Sequence, residues 1–346
     1  MLLFISTFQA VAVMFLVGAL GVYVINKKIL PSSALKMLSP LAIDIALPAL
    51  AAYNVLTKFK PEENPQWWML PVYWAGFTLI AFILSLIFMN ISLKLYRREF
   101  FTSLFYQNGI FFPLMILGGM YGANSINLVN LFLFTLFFPA FFHNTMPMVY
   151  KGHNSEGNNI SWLLNPVFVM TIFTLAIRLA GFNQYVPNFV LNGLLMVGGM
   201  SLPIILLIIG ANVYTEYQKS RGSIPIVTPI SRSVEPISLW AALISRMRLS
   251  RPANPPKIRI QWFEISKFII IKNFLFPLII LFLLRIVRLP HNIAFLILLQ
   301  ASVPPITIAP LITERYGGNY LIVNQFLLGS FLFSLISIPV MVMLFG

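Results

Sequence analysis

Tyr106–Asn124 reads YQNGIFFPLMILGGMYGAN, and Leu299–Asn319 reads LQASVPPITIAPLITERYGGN. The two stretches say nearly the same thing, one in each half of the chain. Each has glutamine in second place, Gln107 and Gln300, followed by small or polar residues. Each carries proline in mid-span, Pro113 in one and Pro304-Pro305 in the other, and each closes on Tyr-Gly-x-Asn before an apolar run. Proline inside a helix removes a backbone hydrogen bond and clashes with the preceding turn. Breaks at matching places in two halves of a membrane protein point to the binding site of a transporter.

The composition places the chain in a bilayer. Hydrophobic residues make up 59% of it and charged residues 9%, with a mean hydropathy of +0.86. A soluble domain carries roughly 25% charged residues. The formal charge of +14 would suit nucleic acid, but the basic residues sit between apolar runs, so no nucleic-acid partner is expected. The chain has no cysteine, which excludes disulfides and thiolate chemistry. The first run, Leu2 to Ile25, lacks a basic leader and a small-residue cleavage site, so it is expected to stay as a span.

Ten spans are expected, at 2–25, 37–56, 67–93, 101–121, 126–150, 160–180, 188–214, 266–288, 292–313 and 319–345. The fold class is an all-α polytopic membrane protein, because lipid leaves no partner for an unpaired backbone. With the N-terminus outside and Lys272 inside a span, 17 of the 23 Lys and Arg residues fall on the cytoplasmic side and 5 on the other. Both termini are therefore expected outside. Five spans per half is an odd number, so the halves, 1–150 and 160–345, form a 5+5 inverted repeat. Pro48 in the second span and Pro203 in the seventh strengthen the register.

The basic loop 216–264 joins the seventh and eighth spans. Within it, 236–248 (PISLWAALISRMR) puts Ile237, Trp240, Ile244 and Met247 on one helical face. That face suits an interfacial helix on anionic lipid, and a disordered basic linker fits equally well.

These motifs resemble the auxin efflux carrier family, which includes the plant PIN proteins and many prokaryotic carriers. The match rests on Asn108-Gly109 with Pro113-Leu114 and Met120-Tyr121-Gly122, and on Ala301–Pro305 with Glu314–Gly317. It rests also on Leu202-Pro203 with Gly210-Ala211, and on the closing Leu335–Pro339. The resemblance implies crossover helices broken at the prolines of spans 4 and 9. It implies a mobile transport domain of spans 3–5 and 8–10, and a scaffold of spans 1, 2, 6 and 7 that often dimerises. It further implies elevator-type secondary transport of a small organic anion, an auxin-like weak acid or a carboxylate, in the cell membrane of a prokaryote.

Two crossed breaks bring free helix ends to one point, and an N–H end attracts carboxylates. The candidate substrate-binding residues are Gln107, Asn108, Pro113, Gln300, Ser302, Pro304, Pro305 and Thr307. Their polar side chains could equally serve only to satisfy the broken backbone. Asp44, the chain's single aspartate, lies one turn before Pro48 and is the candidate for proton or ion coupling. A structural pair with Lys272 or Arg178 is the alternative. Lys272 is expected to snorkel to the cytoplasmic interface. Arg285 and Arg288 are expected as interface anchors.

His143, His153 and His291 show no metal-ligand spacing, and no nucleotide-cradling motif is present, so no cofactor is expected. Other function classes stay in view. One is transport of a neutral or other solute on the related sodium/bile-acid-type fold. Another is an intramembrane transferase, which would need clustered His or acidic residues.

Overall fold

A computed structural model describes residues 2–31, 34–150, 165–220 and 260–346. The expected amphipathic helix at 236–248, most of the basic loop and His153 lie outside them. The described residues are helical and form no strand. Seven helices are long and apolar enough to cross a membrane: α1 (Leu2–Asn26), α2 (Met37–Lys58), α3 (Trp67–Ile91), α6 (Ile126–Tyr150), α8 (Asn188–Thr215), α9 (Trp262–Val287) and α12 (Tyr320–Phe345). The other three expected spans are shorter helices. The sixth is α7 (Pro166–Leu179). The fourth comes in two pieces, α4 (Arg97–Phe105) and α5 (Phe111–Tyr121). The ninth is likewise α10 (His291–Ser302) and α11 (Ala309–Arg315).

Two sets of helices pack closely among themselves, and α1 of the first also packs on α5 and α12 of the second. In the first, α1 lies along α8, and α2 packs on α7 and on the start of α8. Without water to drive association, membrane helices approach through small residues. Here Gly18 and Gly21 of α1 meet Gly210 and Leu207 of α8 backbone to backbone. A Cβ added at Gly210 would stand 1.8 Å from the Gly18 oxygen. Arg178, at the end of α7, donates through Nε to the Phe59 carbonyl at 2.6 Å and so ties α7 to the end of α2.

In the second set, α12 runs against α9, α10, α11 and α4, while α3 packs on α4 and α6. Asn273 of α9 donates to the Ser330 carbonyl and to Ser337 Oγ, both at 3.0 Å, and accepts from Ser330 Oγ at 2.8 Å. These buried bonds fix α9 to α12. The Tyr150 hydroxyl joins Thr102 at 2.6 Å and Thr313 at 3.0 Å, linking the ends of α4, α6 and α11. Glu99 accepts from the Asn319 backbone N–H at 2.9 Å. Arg285, expected as an interface anchor, donates to the Leu344 carbonyl at 2.9 Å and caps the last turn of α12.

Two helices contain a π-helical turn, Leu41–Ala46 in α2 and Ile271–Leu275 in α9. Each lies just before a proline, Pro48 or Pro277. A proline leaves the carbonyl one turn back without its donor, and a widened turn redistributes the bonds around it. Each widened turn also holds a charged residue, Asp44 or Lys272.

Candidate functional site

The two interrupted segments meet at their breaks. Tyr106–Ile110 and Val303–Ile308 leave the helical conformation and pair as a short antiparallel bridge between Gln107 and Pro305. The Asn108 N–H donates to the Pro304 carbonyl at 2.9 Å, and the Ile306 N–H donates to the Tyr106 carbonyl at 3.0 Å. The Gly109 N–H closes a tight turn onto the Gln107 carbonyl at 2.8 Å. Backbone groups freed by one break are thus satisfied by the other, as a buried backbone requires.

Of the prolines expected at the breaks, only Pro113 departs from the expectation. Pro304 and Pro305 lie in the break itself, where a residue without an N–H costs no helical bond. Pro113 does not break its segment. It stands in the first turn of α5, three residues beyond the opening, where its missing N–H has no intrahelical partner to lose. The chain opens instead at Asn108-Gly109. A Cβ at Gly109 would come within 2.5 Å of Gln300 Oε1, so a larger residue there would push the Gln300 side chain aside.

The candidate side chains divide into two groups. Gln300 is 2% exposed, and its Nε2 donates to the Gly109 carbonyl, pinning one segment to the other. Ser302 turns its hydroxyl back to the Leu298 carbonyl at 2.8 Å. Both bind backbone. Gln107 and Asn108 are 3% and 1% exposed, yet neither amide atom of Gln107 nor Nδ2 of Asn108 has a hydrogen-bond partner among the described residues. They stand immediately before the N-terminus of α5, the end of a helix that carries partial positive charge. Thr307 is half-buried beside Pro305.

Asp44 is placed elsewhere. It was expected to face a cavity or a basic partner, but its side chain is exposed, and the inward positions of its turn belong to Ala42 and Ala46. That turn packs on α7 and α8. The expected partners are engaged otherwise, Arg178 with Phe59 and Lys272 with Ala301. Lys272 does not snorkel. It is fully buried, because the widened turn of α9 directs it to the end of α10. Among the described residues, no group of three or more His, Cys, Asp and Glu side chains could hold a metal ion.

An all-helical membrane protein with two interrupted segments joined at their breaks has the architecture of a transporter. Comparison with known families agrees: a membrane transport protein family model matches residues 6–161 and 142–342. The chain therefore belongs to that family, the auxin efflux carrier group, and is a secondary membrane transporter. No curated protein matches the sequence.

Proposed function

We propose that the protein moves a small organic anion, an auxin-like weak acid or carboxylate, by elevator-type alternating access. The observation that carries the proposal is the set of buried, unpartnered amide groups, both amide atoms of Gln107 and Nδ2 of Asn108, at the N-terminal end of α5. A buried polar group without a partner costs about 1–3 kcal/mol. A hydrogen bond to a charged ligand contributes about 1.5–3 kcal/mol, and a helix N-terminus adds up to roughly 2 kcal/mol for an anion. A carboxylate at this point would accept from the Gln107 Nε2 and Asn108 Nδ2 groups and face the positive helix end, whereas a cation would oppose that end.

In this scheme the chain crosses the membrane ten times, with both termini outside, as a 5+5 inverted repeat whose fourth and ninth spans cross at the break. Helices α3–α6 and α9–α12 move as the transport domain against a scaffold of α1, α2, α7 and α8. The close Gly18–Gly210 packing suits the rigid part, and the Asn273 and Tyr150 bonds suit a body that moves as one. The setting is the cytoplasmic membrane of a prokaryote.

A homodimer is proposed through the exposed stripe Met37, Leu41 and Ile45, which a second copy would cover together with Asp44. Shielded there, Asp44 is the proposed carrier of a coupling proton, since an intramembrane carboxylate is costly unless it serves a function.

Counterflow in proteoliposomes tests the function. Purified protein should exchange a radiolabelled carboxylate across the membrane, and exchange should fall in Asn108→Ala. Exchange of neutral solutes alone would refute the anion; exchange of nothing would refute transport by this chain alone.

A further inference from the structure

Lys272 is fully buried in α9, and among the described residues no carboxylate lies beside its amine. Its Nζ donates to the Ala301 carbonyl at 3.3 Å and lies 5.0 Å from the centre of the Phe276 ring. Ala301 belongs to the last turn of α10 and directly follows Gln300, whose amide holds Gly109 next to Asn108. The ammonium therefore stands at the C-terminal end of α10, one residue along the chain from the crossing.

The charged and titratable groups of the elements around it are committed elsewhere. On α9 itself, Glu264 pairs with Lys267 and accepts from Ser92 Oγ at 2.7 Å, while Arg285 caps α12. On α10, His291 lies at the opposite end, its ring against Phe345. On α12, Tyr320 is the first residue, ten positions before Ser330, the partner of Asn273. Glu99 of α4 holds the Asn319 backbone.

A buried ammonium in a membrane protein needs compensating negative charge. The α10 terminus supplies about half a negative charge and the α5 N-terminus about half a positive one, so a protonated Lys272 leaves room for one anionic group and not for two.

We infer that Lys272 is the specificity-determining charge of the transport site, where it selects a monoanionic carboxylate over neutral and doubly charged analogues. The inference rests on the organic-anion proposal above and narrows it. Gln107 and Asn108 would hold the carboxylate by hydrogen bonds, which a neutral amide could also accept. Lys272 would supply the part of the recognition that depends on charge. A unit charge acting across a few residues in such a site alters affinity on the order of tenfold.

The test is a thermal-shift titration of the purified full chain. The probes are small monocarboxylates, each paired with its neutral amide, and dicarboxylates of similar size. The wild type should bind a monocarboxylate at least about tenfold more tightly than its amide and than the matching dicarboxylate. Lys272→Met, unbranched and of similar length, should bring that ratio near one while still binding the amide. Should the methionine variant not fold, Lys272→Gln, which keeps a donor for Ala301, gives the same ratio.

A folded variant with the wild-type preference overturns the inference and leaves the anion proposal standing. A wild type that favours the amides, or that binds no probe, overturns both. A wild type that favours dicarboxylates overturns the monoanion while keeping the anion. A purely structural role for Lys272 would lower stability without moving the ratio.

Discussion

Gln300 and Gln107 occupy corresponding places in the two repeated stretches, and they should respond oppositely to the same substitution. In Gln300→Leu, the Gly109 carbonyl loses the donor that Nε2 supplies, in a place where water does not reach. A buried acceptor left unpaired costs about 1–3 kcal/mol, and leucine is close enough in size that no large cavity adds to it. The loss falls on the contact that holds the two breaks together, so stability and transport should decline in step. In Gln107→Leu, both buried amide atoms were unpartnered beforehand. Removing them lifts an unmet demand of the same size, about 1–3 kcal/mol, so the folded protein should be unchanged or more stable. What disappears is the bond to the ligand.

The assay is thermal unfolding in detergent with and without a transported carboxylate, together with counterflow. Gln300→Leu should unfold at a lower temperature and still be stabilised by the ligand, since a ligand that binds the folded state raises stability by mass action. Gln107→Leu should unfold at or above the wild-type temperature and lose most of the ligand-induced shift. If Gln107→Leu proves the less stable of the two, or keeps the full ligand shift, then its amide is part of the fold and the division of the site made here is wrong.

Other outcomes follow from the same geometry. Asn108→Ala should weaken the carboxylate by about tenfold to a hundredfold in competition counterflow, the worth of one hydrogen bond to a charged group, with the unfolding temperature nearly unchanged because the backbone N–H still reaches Pro304. Gly210→Ala should lower the unfolding temperature, since its Cβ would collide with the Gly18 backbone, whereas Gly193→Ala, which has nothing within 4 Å, should be neutral or stabilising. Asp44→Asn should remove the dependence of uptake on a pH gradient while leaving ligand-induced stabilisation intact; uptake that still follows the gradient would relieve Asp44 of its coupling role.

The places where sequence and structure part company lie at local departures from the α-helix and at their edges. The repeated stretches announced where the helices open, because proline and glycine alter the backbone whatever the surroundings. They could not say that Asn108-Gly109 opens the fourth span and that Pro113 restarts it, since an N-terminal turn and a break accept the same residue. Equally hidden was the split between Gln300, turned onto the Gly109 carbonyl, and Gln107, turned onto nothing. Composition and position are alike for the two, and only the partner distinguishes them.

Asp44 and Lys272 are the sharper case. Both are charged residues in spans, each shortly before a proline, and each in a π-helical turn. Helical periodicity of 3.6 assigns a face only while the period holds, and a π turn shifts every later residue around the axis. The aspartate that the sequence singled out for coupling or for a basic partner is exposed, while the lysine assigned to the membrane interface is enclosed against α10. In these two turns the 3.6 period does not give the face of the charged residue. In this chain it is Lys272, buried against the Ala301 carbonyl, and not the rarer Asp44, that lies next to the interrupted segments.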